Sequence, residues 1–231
     1  MHSFGSAYRA VVVGASGAIG QAFVRALASD PNCVNVIGVS RRSHPGFSLE
    51  SETSMAQVAR ELHEHGPFEL IIDATGALTL NGQGPEKHLG ALNAAQFQRA
   101  FEINTIGPAL LIKHLSPLLA AQRGIYAKLS ARVGSISDNK KGGWYSYRAS
   151  KAALNMVLQT AAIEIARKNP NAIVAALQPG TVASPLSAPF VAPENALSPD
   201  TSVRGMLTTL DQLLPTGSAQ FYDYKGQAIS W

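Results

Sequence analysis

Short β-branched runs alternate with longer helical stretches along the chain, and few folds accept that alternation. Tyr8 to Val13 is a β-type run that ends at Gly14. Residues 17–29 carry Ile19, Phe23, Val24 and Leu27 at helical spacing. Cys33 to Val39, Leu70 to Asp73, Ile125 to Leu129 and Ala172 to Leu177 read as further buried strands, and Gln220 to Tyr222 as a last one. Between them, residues 54–65, 94–119 and 146–168 read as helices, the second of them long. Strands that are apolar throughout and alternate with helices belong in a parallel sheet covered on both faces. Right-handed crossovers make it a doubly wound open sheet of the α/β class, which binds ligands outside the carboxyl ends of its strands. Residues 182–200, rich in Pro, Ala and Ser, break the alternation and are expected to form a substrate loop near that edge.

The length of 231 residues suits a single domain, here 1–231, and leaves no room for a separate substrate domain. A 46% apolar share against 15% charged residues excludes a disordered chain. No apolar run approaches the roughly 18 residues of a membrane span, and the first ten residues show no secretory signal. Cys33, the single cysteine, cannot pair within the chain. That fits a reducing compartment, so a cytoplasmic location is expected. A net charge of +4 without a long basic run, and 7% aromatic residues, do not point to nucleic acid. His63 and His65 are two apart and face different sides of a helix, so no metal site is expected.

The first strand leads into Gly14-Ala15-Ser16-Gly17-Ala18-Ile19-Gly20 and then the first helix. Glycine permits the tight turn and lets the backbone approach a pyrophosphate, while the helix N-terminus offers free N–H groups and a positive dipole end. Many strand–helix junctions need glycine, so the turn alone also fits an ordinary junction; its place between the first strand and first helix favours a dinucleotide. Twenty residues past Gly20, the second strand ends in Ser40-Arg41-Arg42. An acidic residue there would hold the ribose 2′-hydroxyl of NAD. Arginine instead pairs with a 2′-phosphate, which favours NADP(H) while leaving NAD(H) open. Simple solvation of Arg42 competes with this reading.

Tyr147 and Lys151 are four apart and share one helix face. A neighbouring ammonium favours the phenolate, so Lys151 is expected to lower the Tyr147 pKa and make the phenol a usable proton donor or acceptor. Asn104 lies four residues before Pro108, which has no N–H to return to the Asn104 carbonyl. A kink is therefore expected there.

Taken together, the glycine turn, Asp73-Ala74-Thr75-Gly76 at a strand end, Asn104, Tyr147 with Lys151, and Pro179-Gly180 occur in the order of the short-chain dehydrogenase/reductase family, which the whole chain resembles. The run Gly142 to Lys151 and the ending Phe221 to Trp231 resemble the branch that contains the C-factor signalling protein and the sniffer carbonyl reductase. The resemblance implies a Rossmann-type fold and hydride transfer between a nicotinamide and a carbonyl or alcohol. It implies that Lys151 also bonds the nicotinamide ribose and that Asn104 anchors a water of a proton relay. The cofactor would lie along Gly14, Ser16, Gly17, Ala18, Ile19, Gly20, Ser40, Arg41, Arg42, Ala74, Thr75, Gly76, Pro179, Gly180, Val182 and Ser184, with Asn104, Tyr147 and Lys151 beside it.

The chain departs from the family at Ala131, where a serine commonly bonds the substrate oxygen. Alanine has no such donor. Ser135, twelve residues before Tyr147, is the expected stand-in, with Ser130 a second candidate. Ala18 stands at a usual glycine position, and Asp73-Ala74 replaces a usual Asn pair. The expected function is that of an NADP(H)-dependent short-chain oxidoreductase, a carbonyl reductase, acting on a small carbonyl or alcohol and forming a homodimer or homotetramer. A nucleotide-binding signalling or regulatory protein with little catalytic activity is the alternative.

Overall fold

A computed structural model describes residues 1–231, the side chain of Pro193 excepted. Six parallel strands form one sheet: β1 (Tyr8–Val13), β2 (Cys33–Val39), β3 (Leu70–Asp73), β4 (Gly124–Leu129), β5 (Ala172–Gln178) and β6 (Gln220–Asp223). Their spatial order is β2-β1-β3-β4-β5-β6, with every neighbouring pair parallel. β1, β3 and β4 are buried almost throughout, whereas β2, at the sheet edge, leaves Val34 exposed. Continuous apolar runs are what a doubly covered strand requires, since both faces meet helices.

Helices α1 (Ala18–Ala28) and α6 (Pro199–Gln212) cover one face, where Phe23, Leu27, Val203, Met206 and Leu210 pack on Ile72 and Ala127. Helices α2 (Glu52–His63), α4 (Gly107–Leu115) and α5 (Tyr145–Lys168) cover the other, where Met55, Leu62, Leu111, Leu154 and Leu158 pack on Val13, Ile71 and Tyr126. Helix α3 (Ala94–Phe101) precedes α4. The result is a three-layer, Rossmann-type α/β domain. No helix among the described residues is long and apolar enough to cross a membrane.

The expected long helix over 94–119 is instead four segments. α3 passes into a π-type turn over Glu102–Ile106, then α4, then a 3-10 turn over Ser116–Leu118. Proline explains the break: Pro108 cannot donate to Asn104, and the Gly107 N–H bonds back five residues to Glu102. Helix α6 was absent from the pattern reading because it opens on Ser198-Pro199 at the end of a Pro-rich segment. Ser198 accepts the Thr201 N–H as an N-cap, and proline suits the first helical turn.

Candidate active site

The strand order reverses between β1 and β3, and the crevice at their carboxyl ends is the natural ligand position of such a sheet. Gly14 sits there at φ 83°, and a Cβ on it would press within 3.0 Å of Ala74. A Cβ on Gly20 would overlap the Gly14 carbonyl. The turn is thus closed around two glycines, with Gly14 and Ala15 N–H groups both bonded to Val39 O. The first turn of α1 follows with no side-chain cap and no acidic residue. Its N–H groups and dipole suit a phosphate.

At the end of β2, the buried Ser40 organises the loop: its Oγ accepts the N–H groups of Arg42 and Ser43. Arg41 and Arg42 stand exposed beside it, with the Glu50 carboxylate near enough to feel the Arg41 charge. Across the crevice, Gly180 at φ 78° begins the segment after β5, with Val182 buried and paired to Leu197. Ser184 bonds Ser187 within that segment. These residues fit a bound dinucleotide: the crevice has a closed glycine turn, an uncapped helix N-terminus and exposed arginines at the end of β2.

Helix α5 brings Tyr147 and Lys151 to the same edge. Trp144 precedes it in the left-handed region at φ 56° and supplies no side-chain cap. Glu86, from the segment between β3 and α3, caps the helix instead. Its Oε2 accepts the Ser146 N–H at 3.1 Å and the Ser146 hydroxyl at 2.8 Å, and its carbonyl accepts the Trp144 N–H. A buried carboxylate at the positive end of a helix is favourably placed. The Trp144 ring meets Tyr147 edge-on at 6.1 Å and Phe190 at 5.5 Å, so the segment after β5 abuts the start of α5.

Lys151 is buried one turn beyond Tyr147, with its Nζ donating to Leu129 O at 3.1 Å and lying 5.8 Å from the Tyr147 ring centre. The π-type turn delivers Asn104 beside it. A Cβ on Gly76 would lie 3.2 Å from Asn104 Oδ1 and 3.5 Å from Lys151 Nζ. Glycine is needed there because the two side chains converge on it. Thr105, the next residue, donates its hydroxyl to Ser150 O and ties the turn to α5.

Burial governs the proton affinities. Desolvation pushes the Tyr147 phenol up to about 12. Desolvation, then the nearby Lys128 ammonium, pulls Lys151 down to about 7, against the attraction of Asp73. In the cofactor-free protein burial outweighs the pull of Lys151 on the Tyr147 phenol, because a lysine titrating near neutrality is only partly charged.

The serines near the missing donor already hold bonds within the protein. Ala131 follows β4 as expected, but Ser130 turns to α5 and donates to Asn155 at 2.6 Å. Ser135 is buried; its Oγ accepts the Asp138 N–H at 3.1 Å and meets Ser137 Oγ at 3.3 Å.

Two features escaped the sequence reading. Glu86 has no local motif, because its partner lies 60 residues away. Lys128 is a charge inside a strand of buried residues, and that contrast was the available signal. Its Nζ bonds Asp73 Oδ1 at 2.9 Å, with both side chains fully buried.

The chain matches the short chain dehydrogenase family model over residues 8–195. It is 32% identical over 190 residues to 1-hydroxy-2-glutathionyl-2-methyl-3-butene dehydrogenase of Rhodococcus sp. (strain AD45), covering 81% of this chain and 79% of that one. It is 33% identical over 168 residues to the C-signal protein of Myxococcus xanthus, covering 72% of this chain and 94% of that one. Among solved structures, the carbonyl reductase Sniffer of D. melanogaster superposes with a TM-score of 0.84 at 19% identity, over 97% of this chain and all of that one. The NADPH-bound carbonyl reductase from chicken fatty liver does so with a TM-score of 0.82 at 23% identity, over 97% and 94%. The chain therefore belongs to the short-chain dehydrogenase/reductase family, whose members are NAD(P)-dependent oxidoreductases.

Proposed function

We propose that the protein is an NADP(H)-dependent carbonyl reductase. One observation carries this reading: the glycine cradle and the Tyr147–Lys151 face open onto the same carboxyl edge of the sheet. Arg41 and Arg42 support preference for the 2′-phosphorylated cofactor, as does the NADPH held by the chicken enzyme of similar fold. When bound, the nicotinamide supplies the hydride that reduces the carbonyl carbon. Tyr147 gives its phenolic proton to the carbonyl oxygen, and a phenol that holds its proton firmly at neutral pH is a donor rather than a base. Lys151, in its ammonium form, stabilises the phenolate left behind and bonds the ribose. Asn104 fixes the wall beside Lys151, and its own carbonyl lacks a helical donor because of Pro108.

Phe190 of the segment 182–200 forms the substrate wall together with Trp144 before α5, an apolar lining that suits a small carbonyl compound. We place the protein in the cytoplasm, in keeping with the free thiol of Cys33. We also assign a second copy of this chain to the groove of about 900 Å³ between α4 and α5, where Met156 is exposed.

A second reading, cofactor binding with little turnover, draws on Ala131 and on the engagement of Ser130 and Ser135 with other partners. Without a serine donor the substrate oxygen relies on Tyr147, and losing such a donor can cost on the order of a hundredfold in rate. NADPH oxidation against a panel of aldehydes, ketones and quinones separates the two. Turnover of at least one is expected; NADPH binding with turnover of none would overturn the reductase reading.

A further inference from the structure

Behind the Tyr147–Lys151 pair lies a second, fully buried lysine that the mechanism above does not use. Lys128 on β4 and Asp73 on β3 are directly paired in register, and both side chains have no exposure. Lys128 Nζ donates to Asp73 Oδ1 at 2.9 Å, to Thr75 O at 2.7 Å and to Thr75 Oγ1 at 3.0 Å. The same Asp73 oxygen also accepts the N–H and the hydroxyl of Thr75. The next residue is Gly76, whose missing side chain leaves Lys151 Nζ within 3.5 Å of the Cβ position. Lys151 Nζ in turn donates to Leu129 O, in the residue after Lys128. Two ammonium groups thus flank one short turn, and only one of them has a carboxylate.

Buried ion pairs rarely add stability over apolar packing of the same volume, because desolvation offsets their attraction. Strongly perturbed groups gather instead at working sites. We propose that Lys128, held by Asp73, is a positioning residue that fixes the Thr75–Gly76 turn beneath the site and sets the charge environment of Lys151. The titratable groups acting on Lys151 are Lys128 from β4, Asp73 from β3 and Tyr147 on its own helix, with Tyr126 of β4 lying beside Asp73. Tyr126 stays neutral, since burial raises its phenol well above the usual range. Asn104 and Thr75 complete the surroundings without charge. Lys128 therefore repels a proton on Lys151 and Asp73 attracts one.

This inference rests on the assignment of Lys151 to proton transfer, but its test does not require turnover. Lysine side chains labelled with carbon-13 at Cε report the Lys151 titration directly by NMR in the cofactor-free protein. Lys128→Met should raise the Lys151 midpoint, and Asp73→Asn should lower it, each by on the order of one pH unit. Lys128→Arg, which keeps the charge, should leave it close to wild type. The alkaline limb of kcat/KM for carbonyl reduction should move in the same opposite directions. A merely structural role would harm both variants alike, with no opposed shift, and that result would overturn the proposal. If Lys128→Met fails to fold, Lys128→Gln removes the same charge while keeping a polar group against Asp73 and Thr75. The midpoint should again rise, and an unchanged midpoint would overturn the proposal.

Discussion

Asn104 holds the Ala77 peptide at both of its polar groups: its Oδ1 accepts the Ala77 N–H at 2.9 Å, and its Nδ2 donates to Ala77 O at 2.9 Å. The Asn104 side chain has no exposure, and Ala77 is half-buried. Asn104→Ala leaves both Ala77 backbone groups without their partner. Urea denaturation should show a loss of about 2–3 kcal/mol. Loss of turnover should accompany it, because the Gly76–Ala77 turn supports Lys151. Wild-type stability in this variant would show that the pairing contributes nothing.

Glu86 serves α5 as a cap supplied from far along the chain. Glu86→Ala removes both bonds to Ser146 and the charge at the helix N-terminus, and should cost about 2 kcal/mol. Thermal unfolding measures this. An unchanged Tm would remove Glu86 from the account of how Tyr147 is held.

How much of this was legible in the sequence follows the range of the interactions. Gly14 to Gly20 and the Tyr147–Lys151 spacing are local patterns, and the structure brings both to one edge of the sheet. All six strands follow from continuous apolar runs, with ends displaced by at most a residue. The helix expected over 94–119 was only half legible: Pro108 announced a kink, but the re-registering of the ladder at Gly107 depends on local packing. The α6 face of Val203, Met206 and Leu210 carried helical spacing, masked by the prolines before it. Glu86 and Lys128 act on partners 60 and 55 residues away, and no local pattern reports such pairs.

Cofactor choice is set by exposed charge at the end of β2. Arg41→Ala should weaken NADPH binding about tenfold, the worth of one charge-assisted bond, and leave NADH nearly unaffected. Fluorescence titration of both cofactors checks this. Equal weakening of the two would contradict the assignment of Arg41 to a 2′-phosphate.

Lys151 also makes stability depend on pH. Its pKa is about 7 in the folded protein against an ordinary 10.5. Between those values the unfolded chain binds a proton that the folded protein does not, so stability rises with pH across that window. At and below its lower end the cost of burying the charged lysine is fully present. Lys151→Met should therefore raise the Tm most in acid and neutral buffer, with the gain fading as pH climbs toward 10.5. A gain independent of pH would contradict this.

The central claim is that Tyr147 transfers the proton in a reaction dependent on NADPH. Steady-state reduction of the best carbonyl substrate by Tyr147→Phe, with NADPH affinity measured on the same preparation, tests it most directly. The expected result is a loss of kcat of on the order of a hundredfold or more, with NADPH affinity close to wild type. Turnover at the wild-type rate would contradict the account.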